Sequence, residues 1–291
     1  MRERRIIAIA SGKGGTGKTT IAVNLAAVME GPVAYVDCDV EEPNGHIFLK
    51  PAITAANSVA IPVPIVDKEK CTGCARCVTA CRYNALACVK GRVLVFTELC
   101  HGCGGCMLAC PEHAISECDH EIGVVETGRA NDICFVQGRL KIGVAMSPPL
   151  IRAAKAASPS EGTVILDAPP GTSCPVIAAV KDSDFVVLVT EPTPFGLHDL
   201  TLAVDTVRQI GIPFGVVVNR CDIGDDRVTD YCQREEIPIL IEIPDDRRIA
   251  EAYSRGCMAV ESLPDVRPFF LQLDLRIRDL LSAPNGVQSA T

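Results

Sequence analysis

The chain has 291 residues, 48% hydrophobic and 22% charged, with a formal net charge of −8. That length accommodates one large domain and a small one, and the hydrophobic share supplies a sizeable core. The acidic balance argues against nucleic acid as the main ligand, and no apolar run is long enough to span a membrane.

The start, Met1-Arg2-Glu3-Arg4-Arg5, has the charge of an export signal, but the apolar run behind it, Ile6–Ala10, stops at once in a glycine loop. It reads as a buried strand, and the expected compartment is the cytoplasm. The loop is Ser11-Gly12-Lys13-Gly14-Gly15-Thr16-Gly17-Lys18-Thr19-Thr20, and an Ala-rich segment of helical spacing follows it to Val28. Strand, glycine loop, Gly-Lys-Thr and helix in this order predict a phosphate site. The glycines let backbone N–H groups converge on phosphate oxygens, and the helix N-terminus adds partial positive charge. Lys18 is expected to reach the β/γ-phosphates and Thr19 to bind Mg²⁺.

Lys13 makes this a Lys-Gly-Gly-Thr-Gly-Lys-Thr motif, which resembles the deviant Walker A of the MinD/Mrp/ParA superfamily, a group that includes the nitrogenase iron protein. The resemblance implies an ATPase in which the early lysine reaches the nucleotide of a second subunit, hence an ATP-dependent homodimer. Within one chain, Lys13 is alternatively a solvated loop lysine. The next strand, Val33–Asp37, runs into Asp37-Cys38-Asp39. By the resemblance this is switch I, with Asp39 orienting the attacking water, while Asp37 fits a strand-end cap better.

The ATPase pattern then breaks. Ile61-Pro62-Val63-Pro64 is an extended, proline-stiffened entry to Cys71-x-x-Cys74-x-x-Cys77-x-x-x-Cys81, and Cys100-x-x-Cys103-x-x-Cys106-x-x-x-Cys110-Pro111 follows. The runs are an internal repeat, since Tyr83-Asn84-Ala85-Leu86 is echoed by Glu112-His113-Ala114-Ile115. Between them a β-hairpin is predicted around Lys90-Gly91. Of the 16 cysteines, eight fall in these runs, which favours metal over disulfides. Three thiolates at this spacing wrap one face of an iron–sulfur cube while the fourth of each run ligates the other cluster. Cys71, Cys74, Cys77 and Cys110 are therefore assigned to one [4Fe–4S] cluster, and Cys81, Cys100, Cys103 and Cys106 to a second. The segment looks like a bacterial two-cluster ferredoxin, apart from Arg82 where that pattern usually has proline. Structural zinc is the competing assignment.

After the insertion the ATPase pattern resumes. Thr163–Asp167 is a buried strand ending in Asp167-Ala168-Pro169-Pro170-Gly171, which resembles Walker B and switch II, with Asp167 holding Mg²⁺ through water and Gly171 sensing the γ-phosphate. The strands Phe185–Thr190 and Gly215–Asn219 follow. The resemblance places the adenine at Asn219, with Arg220 beside it, and near the loop Pro244-Asp245. The expected fold is α/β: a mostly parallel, doubly wound P-loop sheet with helices on both faces (residues 1–61 and 120–291), plus a small inserted α+β ferredoxin-like domain (62–119). The segment Phe269–Leu281 has few basic residues, so a final helix packed on the sheet is expected rather than a membrane-binding one; the tail from Ala283 reads as disordered.

Cys174 precedes Pro175 at a predicted helix start, where a thiol acquires thiolate character. The nitrogenase iron protein has a ligand of its subunit-bridging cluster at this register. Cys134 is the nearest second candidate, and plain packing is the alternative. Cys38, Cys88, Cys118, Cys134, Cys221, Cys232 and Cys257 lack ligand spacing and read as small buried hydrophobes. Three functions follow: an ATP-gated electron carrier, with slow, partner-stimulated hydrolysis and an unidentified redox partner; an ATPase of iron–sulfur or other metal-cluster assembly; and a MinD/ParA-like positioning ATPase. Mrp-type carriers hold a transferable cluster on a Cys-x-x-Cys pair near the C-terminal end, where this chain has only Cys257. The electron carrier is the preferred reading.

Overall fold

A computed structural model describes residues 4–282; the first three residues and the tail expected to be disordered lie outside them. The strands are β1 (Arg5–Ala10), β2 (Val33–Asp37), β3 (Ala52–Val66), β4 (Leu86–Val89), β5 (Arg92–Val95), β6 (Ile115–Ala130), β7 (Ile133–Leu140), β8 (Thr163–Asp167), β9 (Phe185–Thr190), β10 (Phe214–Asn219) and β11 (Ile239–Ile243). Among the described residues, nine of them form one sheet in the order β11-β10-β9-β1-β8-β2-β7-β6-β3, and β4 and β5 form the predicted hairpin. Lys90 and Gly91 both have positive φ, the primed turn that matches strand twist. The large sheet is parallel from β11 to β7, whereas β6 runs antiparallel to both β7 and β3.

Strand periodicity builds two cores. β1 sends Ile7 and Ile9 to one face and Ala8 and Ala10 to the other. Against the isoleucine face lie α1 (Lys18–Val28), α2 (Gly45–Leu49), α9 (Arg247–Ser254), α10 (Ala259–Ser262) and α11 (Arg267–Ser282). Against the alanine face lie α5 (Pro148–Ala156), α6 (Cys174–Val180), α7 (Pro194–Ile210) and α8 (Arg227–Arg234). Each fully buried Ile contributes about 1.5–3 kcal/mol relative to exposure. α11, the predicted final helix, buries Phe270, Leu273 and Ile277 against the sheet. Among the described residues, no helix is long and apolar enough to cross a membrane.

The cysteine-rich segment hangs on a β-ribbon. The β3–β6 ladder continues from Ala52↔Arg129 to Val66↔Ile115, past the expected boundaries at 62 and 119, and leaves residues 67–114 between its arms. Pro62 and Pro64 are accommodated because β3 is the edge of the sheet, where no further strand needs their missing N–H groups. β6 first pairs with β7 at Gly123↔Leu140, so residues 115–121 run beyond the end of β7. At about 3.4 Å per residue the ribbon projects roughly 20 Å, from the sheet edge at which the parallel strands end. Within 67–114 the repeat is visible in the backbone. Gly73 and Gly102, Ala75 and Gly104, and Asn84 and His113 are equivalent pairs, all with positive φ. α3 (Arg76–Ala80) and α4 (Gly105–Leu108) begin at equivalent positions.

Candidate functional site

The loop between β1 and α1 is shaped by its glycines. Gly17, at φ 93°, caps α1, and a Cβ there would lie 2.6 Å from the Asn219 Nδ2. Gly14 and Gly15 face open space, so their backbone borders an unfilled cradle. Ser11 Oγ donates to the Lys13 carbonyl at 2.5 Å, and the Gly171 amide donates to the Ser11 carbonyl at 3.0 Å, tying the expected switch II glycine to the loop. The Thr20 carbonyl accepts from Asn24 Nδ2.

Four charged groups converge behind this loop. Asp37 and Asp167 are register partners on adjacent strands and both are buried. Burial pushes both carboxyls up; for Asp37 the neighbouring Asp167 charge adds to the rise, while for Asp167 the Thr19 hydroxyl, the Tyr35 hydrogen bond and Lys18 oppose it. Asp39 is raised to about 6, by burial first and then by Asp167, with Lys18 pulling the other way. Lys18 is itself buried, and desolvation lowers its pKa against the pull of Asp167 and Asp39. Asp37 accepts from the amides of Asp39, Asn44 and Gly45 at 2.9–3.1 Å, so it holds the backbone of the Asp39 loop, as a cap does. Among the described residues, Thr16 Oγ1 and Asp167 Oδ1 are buried without a hydrogen-bond partner. An orphaned hydroxyl in the loop and an orphaned carboxylate oxygen beside Thr19 and Lys18 fit a phosphate and its divalent cation, which would satisfy both.

Two residues escaped sequence reasoning. Tyr35, fully buried in β2, donates from its hydroxyl to Asp167 Oδ2 at 2.9 Å and fixes that carboxylate. A hydroxyl among the apolar residues that lead up to Asp37 was the available signal. Glu191, at the end of β9, is largely buried; it sits 3.6 Å from Lys13 Nζ and 3.0 Å from Arg220 Nη1. Its position, immediately after a parallel strand at the edge that carries the phosphate loop, was its signal. Arg220 also reaches Asp245 at 3.5 Å, so these two of the expected base-binding residues form one chain of contacts with Glu191 and Lys13. Asn219 donates from Nδ2 to the Thr16 carbonyl at 2.9 Å and braces the phosphate loop. Pro244 is exposed beside it, at the end of β11.

In sequence the insertion is the next segment after the Asp39 loop, which would place its exit beside that loop. The chain instead passes through α2 and enters β3 at Ala52, whose ladder partner Arg129 pairs with Cys134 at the start of β7, away from the phosphate loop. The contact with the Asp39 loop comes from elsewhere. Val40 O accepts from the Leu140 amide at 2.8 Å, and the Lys141 amide donates to Ile122 O at 2.9 Å, where the ribbon begins.

The eight cysteines of the repeat surround two cavities. Cys71, Cys74, Cys77 and Cys110 line one of about 310 Å³, including its solvent-open mouth. Cys81, Cys100, Cys103 and Cys106 line another of about 400 Å³. Among the described residues, no three His, Cys, Asp or Glu side chains converge tightly enough for a single metal ion. Four thiols lining each cavity are a donor set that suits an iron–sulfur cube, with one thiolate to each iron. Cys174 starts α6, exposed, at the end of β8, whereas Cys134 starts β7 at the opposite sheet edge, so the two do not come together. Cys38 and Cys232 are buried as expected, but Cys118 is exposed on β6, and Cys88, Cys134, Cys221 and Cys257 are half-buried.

Comparison with known proteins identifies the sheet and its loop. A family model described as the CobQ/CobB/MinD/ParA nucleotide binding domain matches residues 7–258. An uncharacterised protein of Methanocaldococcus jannaschii is 30% identical over 261 residues, covering 88% of this chain and 91% of its own. The iron-sulfur cluster carrier protein of Pyrococcus horikoshii is 25% identical over 288 residues, covering 90% and 82%. Among solved structures, the septum site-determining protein MinD of P. horikoshii, complexed with Mg-ADP, superimposes with a TM-score of 0.59 at 19% identity. That match covers 96% of this chain and 98% of the other.

Proposed function

Because the chain belongs to the CobQ/CobB/MinD/ParA nucleotide-binding family, we propose that it hydrolyses Mg-ATP as a homodimer and couples nucleotide state to electron transfer through two [4Fe–4S] clusters in residues 62–119. Lys18 neutralises phosphate charge, Thr19 and Asp167 hold Mg²⁺, and Asp39 orients the attacking water. Mg²⁺ supplies charge neutralisation at the β- and γ-oxygens. Gly12 to Thr20 and Gly171 enclose the phosphates; Asn219, Arg220, Pro244 and Asp245 form the base end. Lys13 leaves Glu191 to reach the nucleotide of the other subunit. The partner is a redox or cluster-assembly protein.

One observation carries this reading: the cysteine quartets stand on a ribbon projecting from the phosphate-loop edge, and Val40, next to Asp39, is hydrogen-bonded to the strand at its base. Anaerobic purification followed by iron, sulfide and ATPase assays tests it. The expected result is about eight irons per chain, two cubes of four, with slow turnover. Zinc in place of iron, or no hydrolysis, refutes it. A second reading, cluster carriage, is favoured by the Pyrococcus relative's name; transfer of iron and sulfide to an apo-acceptor distinguishes it.

A further inference from the structure

A single exposed hydrophobic side chain is ordinary on a protein surface, so what sets Phe195 apart is where and how it is held. It is 77% exposed, the most exposed aromatic side chain among the described residues, on the first turn of α7. That turn is fixed. Pro194 opens the helix with its φ already set, and Thr193 Oγ1 accepts from the Gly196 amide at 3.0 Å. A Cβ on Gly196 would collide with the Glu191 carbonyl, so the turn is also packed on the end of β9. An aromatic ring on so rigid a support loses little further backbone freedom when it is covered.

The same turn stands against the phosphate loop. β9, which leads into α7, is a direct neighbour of β1 in the sheet. A Cβ on Gly12 would collide with the Asp199 carbonyl and lie 2.7 Å from Asp199 Cβ, so this flank of α7 touches the residue before Lys13. Phe195 precedes Asp199 by four residues, which puts it about 40° round the helix and one turn nearer the sheet edge. The buried face of α7, with Leu200, Ala203, Val204 and Val207, lies on the other side of Asp199, and the core does not use the ring. Glu191, four residues before Phe195, holds Lys13 at 3.6 Å. The loop after β10 adds a second apolar side chain. The Asp225 amide donates to the Pro192 carbonyl at 3.3 Å, and Ile223, 46% exposed, borders the Pro192–Phe195 segment.

We propose that Phe195, bordered by Ile223, is the apolar anchor of the ATP-driven homodimer, covered by a second copy of this chain when Lys13 crosses to that copy's nucleotide. The inference deepens the homodimer reading above and rests on it. A second copy fits this patch better than an unrelated protein does. Lys13, held in the same neighbourhood, has its target only on another copy, and a two-fold contact buries the patch twice, once from each subunit. Apolar cover also keeps water from Lys13, and a charge shielded from water acts more strongly on the phosphates it reaches.

The test is light scattering of the full chain with ADP and with a non-hydrolysable ATP analogue. Wild type should be monomeric with ADP and dimeric with the analogue. Phe195→Ala should weaken the dimer by roughly 10³-fold, the effect of two hot-spot truncations per dimer. It should keep ADP affinity and the thermal midpoint, because the ring lies outside the core and outside the residues assigned to the nucleotide. Phe195→Leu, which retains apolar bulk, should lose less. Leu275→Ala removes a side chain that is 58% exposed on α11, against the opposite face of the sheet, and should leave dimerisation unchanged. Dimerisation of Phe195→Ala at wild-type strength overturns the proposal, as does an equal loss in Leu275→Ala. Loss of ADP affinity or of thermal stability in both Phe195 variants overturns it too, by placing the ring in the fold rather than the interface. A wild type that stays monomeric in saturating analogue overturns the homodimer reading itself, a failure recognised before any variant is made.

Discussion

At the residue scale, the phosphate loop separates two lysines by what holds them. Lys18 is buried among Asp39, Asp167 and the loop carbonyls, whereas Lys13 rests on Glu191. Lys18→Ala should abolish nucleotide binding in a calorimetric titration. Lys13→Ala should leave ATP affinity nearly intact but lower turnover by roughly 10³-fold, as loss of a charge supplied in trans does, and light scattering should show no ATP-dependent dimer. Retained dimerisation would return Lys13 to the role of a solvated loop lysine. Glu191 adds a further prediction, because one largely buried carboxylate holds both Lys13 and Arg220. Glu191→Gln removes the charge that Lys13 must leave, and a partly exposed ion pair contributes about 1 kcal/mol. Each of the two subunits gives up one such pair, so ATP-driven dimerisation should tighten by about 30-fold (about 2 kcal/mol per dimer); weaker dimerisation would show that Glu191 also acts in the assembled dimer.

At the element scale, the junction of β7 with the Asp39 loop is tightly filled. A Cβ on Gly138 would lie 2.5 Å from Val40 Cγ1 and 3.3 Å from Leu150 Cγ. Gly138→Ala should cost about 1–3 kcal/mol by overpacking, read as a lower thermal midpoint, and should slow turnover because Val40 adjoins Asp39. Unchanged turnover in a folded variant would separate β7 from the Asp39 loop. The parallel strands and the cysteine quartets were legible in sequence because each is a local pattern: apolar runs ending in Asp37, Asp167 or Asn219, and thiols at fixed spacing. The β3–β6 ribbon was not. Its strands are separated in sequence by the whole insertion, β3 is rich in small exposed residues, and Pro62 and Pro64 read as a linker until β3 is known to be an edge. The Glu191 bridge was hidden similarly, since it joins the ends of three strand–loop units that only the folded sheet places side by side.

At the scale of the whole molecule, the sheet is the frame that puts nucleotide and cysteines on one edge. Strand order sets β2 between β8, which carries Asp167, and β7, which pairs with β6 at the foot of the ribbon. A displacement of the Asp39 loop therefore meets β7 through the Val40–Leu140 hydrogen bond, and β7 meets the ribbon through Lys141 and Ile122. The Lys141 side chain reinforces the same joint, 2.7 Å from Glu121. This path predicts that nucleotide state shifts the reduction potentials of the insertion. Linkage requires the converse, that reduced and oxidised protein differ in ATP affinity by the same free energy. The measurement is a redox titration of the Asp39→Ala variant with and without a non-hydrolysable ATP analogue, paired with analogue binding to the reduced and oxidised forms. A coupling of about 1–3 kcal/mol, the usual range, should appear equally in both arms. Gly138→Ala should weaken it, because it strains the same joint without touching a cysteine. If potentials and affinities are both independent of each other, nucleotide and cysteines share an edge without communicating, and the role of the ATPase is to be sought in assembly instead.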